Sequence, residues 1–213
     1  MDLLSRGGRD ALTTRAVAVA AGVQAPTIYR LFGDKNGLVD AVAEHGFALY
    51  LQEKKARPPN PDPVEDLRIG WDLHVGFGLA NPALYSLMYG DPRPGVMAPA
   101  AVAAYQVLHR LIRRLAVAGL LRVPEERAAD LVHASGCGTV LTLLGMPAQR
   151  RDLTLSETAR EAVIACITTG APALRSPAAA AITLGAALPS DTTLSPGERM
   201  LMSEWLDRLA KSL

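Results

Sequence analysis

Apolar residues along the 213-residue chain recur at steps of three and four, the spacing that gathers side chains on one side of an α-helix. Val102, Tyr105, Leu108, Ile112 and Leu115 form one such series. Leu131, Ser135, Gly138, Thr142 and Gly145 form another, a stripe of mostly small residues that lets a second helix approach closely. Near the end of the chain, Met200, Leu201, Trp205, Leu206 and Leu209 oppose Arg199, Glu204, Asp207, Arg208 and Lys211. No stretch alternates strictly for long enough to argue for a sheet. The helical stretches are separated by Pro- and Gly-rich breaks at 56–63, 89–99, 145–156, 169–177 and 188–198. Helix starts are marked by Ser156 before Glu157, and by Ser195-Pro196-Gly197-Glu198, a cap, a first-turn proline and a capping-box acid. The expected architecture is all-α, with roughly nine to eleven helices at ordinary helix and loop lengths.

Composition agrees with this reading. Hydrophobic residues make up 49% of the chain and aromatics only 5%, a balance that fills a core and favours helix over sheet. The net charge of +1 neither requires nor excludes a nucleic-acid partner, because only a contact face must be basic. Two cysteines, Cys137 and Cys166, are too few for a disulfide framework and read as small buried hydrophobes. The start of the chain lacks a secretory pattern, and no apolar run reaches the roughly 20 residues of a membrane span. A soluble, cytoplasmic protein with no membrane partner is expected.

The N-terminal stretch "ALTTRAVAVAAGVQAPTIYRLFGDKNGLVDAVAEH" carries the sharpest signal. Thr13 or Thr14 can cap a helix running through Val17, Ala18 and Ala21. Gly22 permits a tight turn at positive φ. A short second helix follows, with Pro26 tolerated in its first turn. Its inner face carries Ile28 and Phe32, with Val23 at the turn; Gln24, Ala25, Thr27, Tyr29 and Arg30 are expected outside. Asp34 caps a third helix, with Lys35 in its first turn and Leu38, Val39 and Val42 facing inward. Two short helices about a glycine turn make a helix-turn-helix, whose second helix can enter a major groove. Small residues there allow close approach, Gln24 and Arg30 can reach base edges, and Tyr29 suits a phosphate. The charge excess over residues 1–35 is small and adds little.

The threonine-opened helix, the A-x-x-A-G-V turn, T-I-Y-x-x-F-x-x-K and the following L-V-x-A-V helix resemble the DNA-binding domain of TetR-family transcriptional regulators. The resemblance covers roughly forty residues. It implies DNA contacts from Thr14, Gln24, Ala25, Pro26, Thr27, Tyr29, Arg30 and Lys35. Tyr29 and Lys35 would touch phosphates; Gln24, Ala25, Thr27 and Arg30 would face base edges. Two departures stand out. Members of the family carry a longer first helix, whereas only "MDLLSRGG" precedes Arg9, so most of that helix is expected to be missing. Gln24 replaces the serine common at the start of the recognition helix.

The resemblance divides the chain into a helix-turn-helix DNA-binding domain over 1–55 and a helical ligand-binding and dimerisation domain over 64–213. Beyond residue 64 it loosens to "LRIGWDLHVGFGLANPALYSLMYGDPRPG" and helices near 100–118, 124–144 and 156–170. It implies a homodimer on operator double-stranded DNA, with the last two of those helices at the interface. Leu141, Leu144, Val163 and Ile167, with the small residues Ala134, Gly138 and Ala159, suit such packing. It further implies a small apolar or amphipathic ligand of unspecified identity. Candidate ligand-binding residues are Trp71, His74, Phe77, Tyr85, Met88, Tyr89, Met97, Tyr105, His109 and His133. No cofactor is called for. His133 and Cys137 have a spacing that could share a metal, with His74 and His109 as further ligands, but no CxxC-type pattern accompanies them and no metal is expected. Ser135 in "HASGCG" sits in a helical pattern rather than after a strand, and no paired carboxylates or phosphate loop appear, so no enzyme is expected. The reading is a ligand-responsive transcription regulator, a repressor released by a small molecule. The alternative is a helical binding or interaction protein with a degenerate DNA-binding unit.

Overall fold

The computed structural model describes residues 2–55, 59–90, 99–169, 177–190 and 193–211. Eleven α-helices lie among them: α1 (Asp2–Ala11), α2 (Thr14–Ala21), α3 (Ala25–Phe32), α4 (Lys35–Lys55), α5 (Pro63–Ala80), α6 (Pro82–Tyr89), α7 (Pro99–Val117), α8 (Glu125–Gly145), α9 (Thr154–Ile167), α10 (Pro177–Ala187) and α11 (Pro196–Ala210). Strand pairing among the described residues is confined to one antiparallel bridge, Leu121 with Thr168. The all-α expectation holds. No helix among these residues is long and apolar enough to cross a membrane.

The chain forms two compact units that interleave along the sequence. One comprises Met1–Pro58, Leu73–Ala104 and Val140–Arg150; the other comprises Pro59–Asp72, Tyr105–Thr139 and Arg151–Leu213. Helices α5, α7 and α8 contribute residues to both.

The first unit packs α1, α2, α4 and α6 around Leu4, Leu12, Val39, Ala43, Phe47, Tyr50, Leu84 and Met88. The sequence allows this because α4 repeats apolar positions 39, 43, 47 and 50 on one side. Gly46 of α4 gives α6 room: a Cβ there would lie 2.5 Å from Leu84 Cδ2, and its next two nearest atoms are also on Leu84. Gly46→Ala is therefore expected to cost about 1–3 kcal/mol by overpacking. In a Leu84→Ala background the same change should become neutral or stabilising, since alanine is the better helix former by about 1 kcal/mol. Urea unfolding of the four proteins measures this coupling; additive effects would refute the close-packed contact.

The second unit buries Leu67, Trp71, Ile112, Leu115, Ala128, Val132, Val163, Ile164 and Ile167. Trp71 donates its Nε1–H to Ser156 Oγ at 3.0 Å. This overturns the expectation of Ser156 as a helix start. α9 begins two residues earlier, where Asp152 Oδ1 accepts from the Thr154 amide at 2.9 Å, and Ser156 lies buried within the helix. The carboxylate of Glu161 receives Arg68 Nε and Nη2, both at 3.0 Å, and Arg160 Nε at 2.9 Å. These bonds, Arg68's foremost, hold Glu161 below the usual carboxylate range. Arg114 pairs with Asp66 and also donates to the Asn60 carbonyl. The Ser195–Glu198 capping box forms as expected.

Val163 and Ile167 line this unit's own core, so they are not available to a second chain as expected. The small-residue stripe does stay open: a Cβ on Gly138 or Gly145 would meet nothing within 4 Å. Cys137 is half-buried, but Cys166 is exposed. It shares the outer side of α9 with Ala162 and Ala165, so neither thiol is the buried hydrophobe expected.

Candidate nucleic-acid interface and ligand region

The helix-turn-helix forms from local signals. Thr13 Oγ1 accepts from the Ala16 amide at 3.1 Å, capping α2, so Thr13 rather than Thr14 is the cap. α2 ends at Gly22, whose φ of 66° lies in the left-handed region and whose amide donates to the carbonyls of Ala18 and Val19. A side chain there would carry the steric cost of that conformation, which glycine avoids. α3 then starts at Ala25 with Gln24 in the N-cap position and no side-chain cap bond, consistent with glutamine's poor capping. Ala18, Ile28 and Leu38 form the small core that seats α2, α3 and α4 together.

That core sets which side of α3 faces out. Gln24, Pro26, Tyr29 and Arg30 are exposed, and Thr27 is half-buried. Tyr29 is 52% exposed, and its hydroxyl accepts a 3.3 Å hydrogen bond from Thr14 Oγ1. The bond brings the tyrosine tip to the first residue of α2, so two hydroxyls converge at a helix N-terminus. Ala25 differs from the outward placement expected of it. It packs with Phe32 against the Ala18–Ile28–Leu38 core, because positions 25, 28 and 32 share the inner helical face. Val23, expected inward, is 40% exposed. Lys35 is exposed in the first turn of α4, where Asp34 Oδ1 accepts from the Gly37 amide at 2.8 Å.

Gly37 is a feature the sequence reading passed over. A Cβ on it would sit 2.0 Å from the Phe32 carbonyl oxygen. The turn from α3 to α4 therefore closes only over a bare Cα. A glycine in the first turn of a helix, where propensity disfavours it, was the available signal.

The candidate ligand residues separate into two groups. In the first unit, Tyr85 is fully buried, and its hydroxyl shares a 2.8 Å hydrogen bond with His74 Nε2. Its ring lies 4.7 Å from that of Tyr89. Phe77 stacks near Phe47 and Tyr50, and Met88 belongs to the same core. In the second unit, Trp71 is buried against Ser156. Tyr105 lies edge-on to His109 and His133, with ring centroids at 4.8 and 5.6 Å, and donates to Asp130 at 2.6 Å. Burial and then that donation push the Tyr105 phenol up to about 12. Burial lowers His133, against the opposing pull of Asp130. Met97 lies outside the described residues.

Two clefts among the described residues are lined mostly by other side chains. A cleft of about 460 Å³ in the second unit includes His109, with Arg113, Glu126, Ile182, Leu206 and Asp207 among its walls. A cleft of about 650 Å³ in the first unit is lined by Arg9, Pro82, Ser86, Leu87 and Leu144, none of them expected. Among the described residues, no group of three or more His, Cys, Asp or Glu side chains could hold a metal ion. Cys137 Sγ lies 3.8 Å from His133 Nδ1.

Comparison with known proteins places this geometry. The profile of the bacterial regulatory proteins of the tetR family matches residues 1–42. Over 44 residues the chain is 50% identical to the tetracycline repressor protein class A from transposon 1721 of Escherichia coli. That stretch is 21% of this chain and 20% of the repressor, so the match spans a fifth of that protein's length. A solved Shewanella sp. PV-4 protein, assigned to the tetR family of transcription regulators, superposes with a TM-score of 0.63 at 19% identity, covering 79% of this chain and 93% of that one. A Rhodococcus sp. RHA1 protein of unknown function superposes with a TM-score of 0.61 at 24% identity, covering 79% and 91%. At these identities the two structures speak to the fold, and the N-terminal match speaks to the family. Over residues 1–42, the chain is similar to the bacterial regulatory proteins of the tetR family.

Proposed function

We propose that the chain is a ligand-responsive, DNA-binding transcription regulator: a homodimeric repressor that a small apolar or amphipathic molecule releases from its operator. The observation that carries this reading is the outward side of α3. Gln24, Pro26, Tyr29 and Arg30 project from a helix whose opposite side is fixed by Ile28. Gln24, Thr27 and Arg30 offer groups that reach base edges, and the Thr14–Tyr29 hydroxyl pair and Lys35 suit phosphates. Pro26, exposed in the first turn of α3, leaves room for close approach to the groove.

A homodimer supplies the second recognition helix, spaced roughly 34–36 Å or a multiple of that from the first. The open small residues Ala134 and Gly138 on α8, and Ala162 and Ala165 on α9, leave room for a second copy. DNA and ligand would favour different separations of the two recognition helices, and the ligand acts by its differential affinity for those states. α4 links the DNA-facing helices to the core below them and is the natural coupling element.

Fluorescence anisotropy with the DNA upstream of the chain's own coding sequence tests the reading. Binding should weaken steeply with salt, and Lys35→Ala should reduce the log–log salt slope by about 0.9, the contribution of one phosphate. Binding that is absent, or that does not respond to salt, would favour the helical interaction protein instead. A compound that raises the thermal midpoint and releases the DNA identifies the ligand class.

A further inference from the structure

α11 has apolar side chains on two different sides. One side packs inward through Leu206 and Ala210, which are 8% and 6% exposed. The other presents Leu201, Trp205 and Leu209 at helical steps of four, exposed by 47, 54 and 49%. A solvated helix face is polar, and tryptophan is the residue most enriched where proteins meet. These side chains form one contiguous patch, and such patches mark interaction sites once they reach a few hundred Å².

The charges flanking the patch identify its occupant. Glu204 and Arg208 lie on the same edge of the stripe, paired one turn apart within the helix. When two copies of α11 are set antiparallel with Trp205 against its twin, Leu201 of each meets Leu209 of the other. In an antiparallel pair the same edges face each other, so Glu204 of one copy comes within about 3 Å along the axis of being level with Arg208 of the second. A parallel pair would set this edge against the opposite edge of the second helix, which carries Met202 and Leu206 in place of a charge pair. Antiparallel pairing also joins opposite ends of the two helix dipoles. We propose that the outer face of α11 docks antiparallel on α11 of a second copy of this chain. The contact is smaller than the ~800 Å² per partner of a standard stable interface, so it forms in a concentration-dependent way.

The test uses the full chain with Trp71→Phe, leaving Trp205 as the reporter among the chain's two tryptophans. Its emission should be blue-shifted at high concentration and move to the red on dilution. Glu204→Arg and Arg208→Glu, each alone, should shift it to the red at every concentration. An equimolar mixture of those two variants should restore the blue shift, because only unlike copies are then complementary. Sedimentation of the otherwise unaltered chain and the same two variants provides a second measurement that does not depend on the Trp71 substitution. It should show the association constant falling at least tenfold in each variant alone and recovering on mixing. Emission that is red and insensitive to concentration would overturn the proposal. So would emission that is blue at all dilutions and unaffected by mixing, which would mean that another part of the same subunit covers Trp205.

Discussion

Gly37→Ala is expected to weaken operator binding by about tenfold to a hundredfold while leaving most of the helical fold intact. The cause is backbone, not side chain. An added Cβ would lie 2.0 Å from the Phe32 carbonyl oxygen and 3.2 Å from its carbon, and a main-chain carbonyl cannot rotate aside as a side-chain tip can. That carbonyl also accepts the Asp34 amide at 3.0 Å, and the Gly37 amide donates to Asp34 Oδ1 at 2.8 Å. Relieving the clash must therefore open the α3–α4 turn and its cap together. Overpacking of this kind costs about 1–3 kcal/mol, and tenfold in affinity corresponds to about 1.4 kcal/mol. The strain falls directly on the C-terminal end of α3, which tilts the Tyr29 and Arg30 side chains relative to the DNA. Anisotropy with operator DNA, alongside circular dichroism, separates the two effects. Unchanged affinity in a folded variant would show that the turn does not hold α3 in its DNA-facing pose.

The helices and the N-terminal unit were legible because their signals are local. Thr13, Gly22, Asp34 and the Ser195–Glu198 box each act within one turn of the chain, and periodicity alone separates Ile28 from Tyr29. What could not be read depends on partners far along the chain. Ser156 is as good a cap as any serine until Trp71, 85 residues away, claims its hydroxyl. Ala25 is by contrast a local miss: it shares a helical face with Ile28 and Phe32, a spacing that already places it inward. The bulky residues nominated for a ligand were chosen by type, and type does not distinguish a lined cavity from a filled one. Tyr85, Met88 and Trp71 are buried among protein atoms, whereas the clefts are walled largely by residues with no distinctive chemistry, such as Pro82, Leu87 and Ala181.

Tyr85 turns that distinction into a measurement. Its side chain is 0% exposed, its ring packs edge-on to His74 at 5.4 Å and beside Tyr89, and Gly78 is bare where the ring passes: a Cβ there would come within 2.9 Å of Tyr85 Cδ2. If the ring serves as packing, Tyr85→Ala should cost about 3–5 kcal/mol, as for a buried aromatic truncated to a methyl group. At roughly 2–4 °C per kcal/mol for a chain of this size, the midpoint should fall by about 10 °C. Tyr85→Phe keeps the ring and removes the hydroxyl that bonds His74 Nε2, so it should cost about 0.5–1.5 kcal/mol. The ratio between the two variants is the informative quantity. A wall of a ligand cavity can be truncated with little loss of stability in the unliganded protein, because the space beyond it is already empty. Should Tyr85→Ala cost less than the phenylalanine variant's upper bound, while altering how any ligand releases DNA, the residue lines a binding site. A large and unequal pair of losses instead assigns the ring to the core that holds α6 in place.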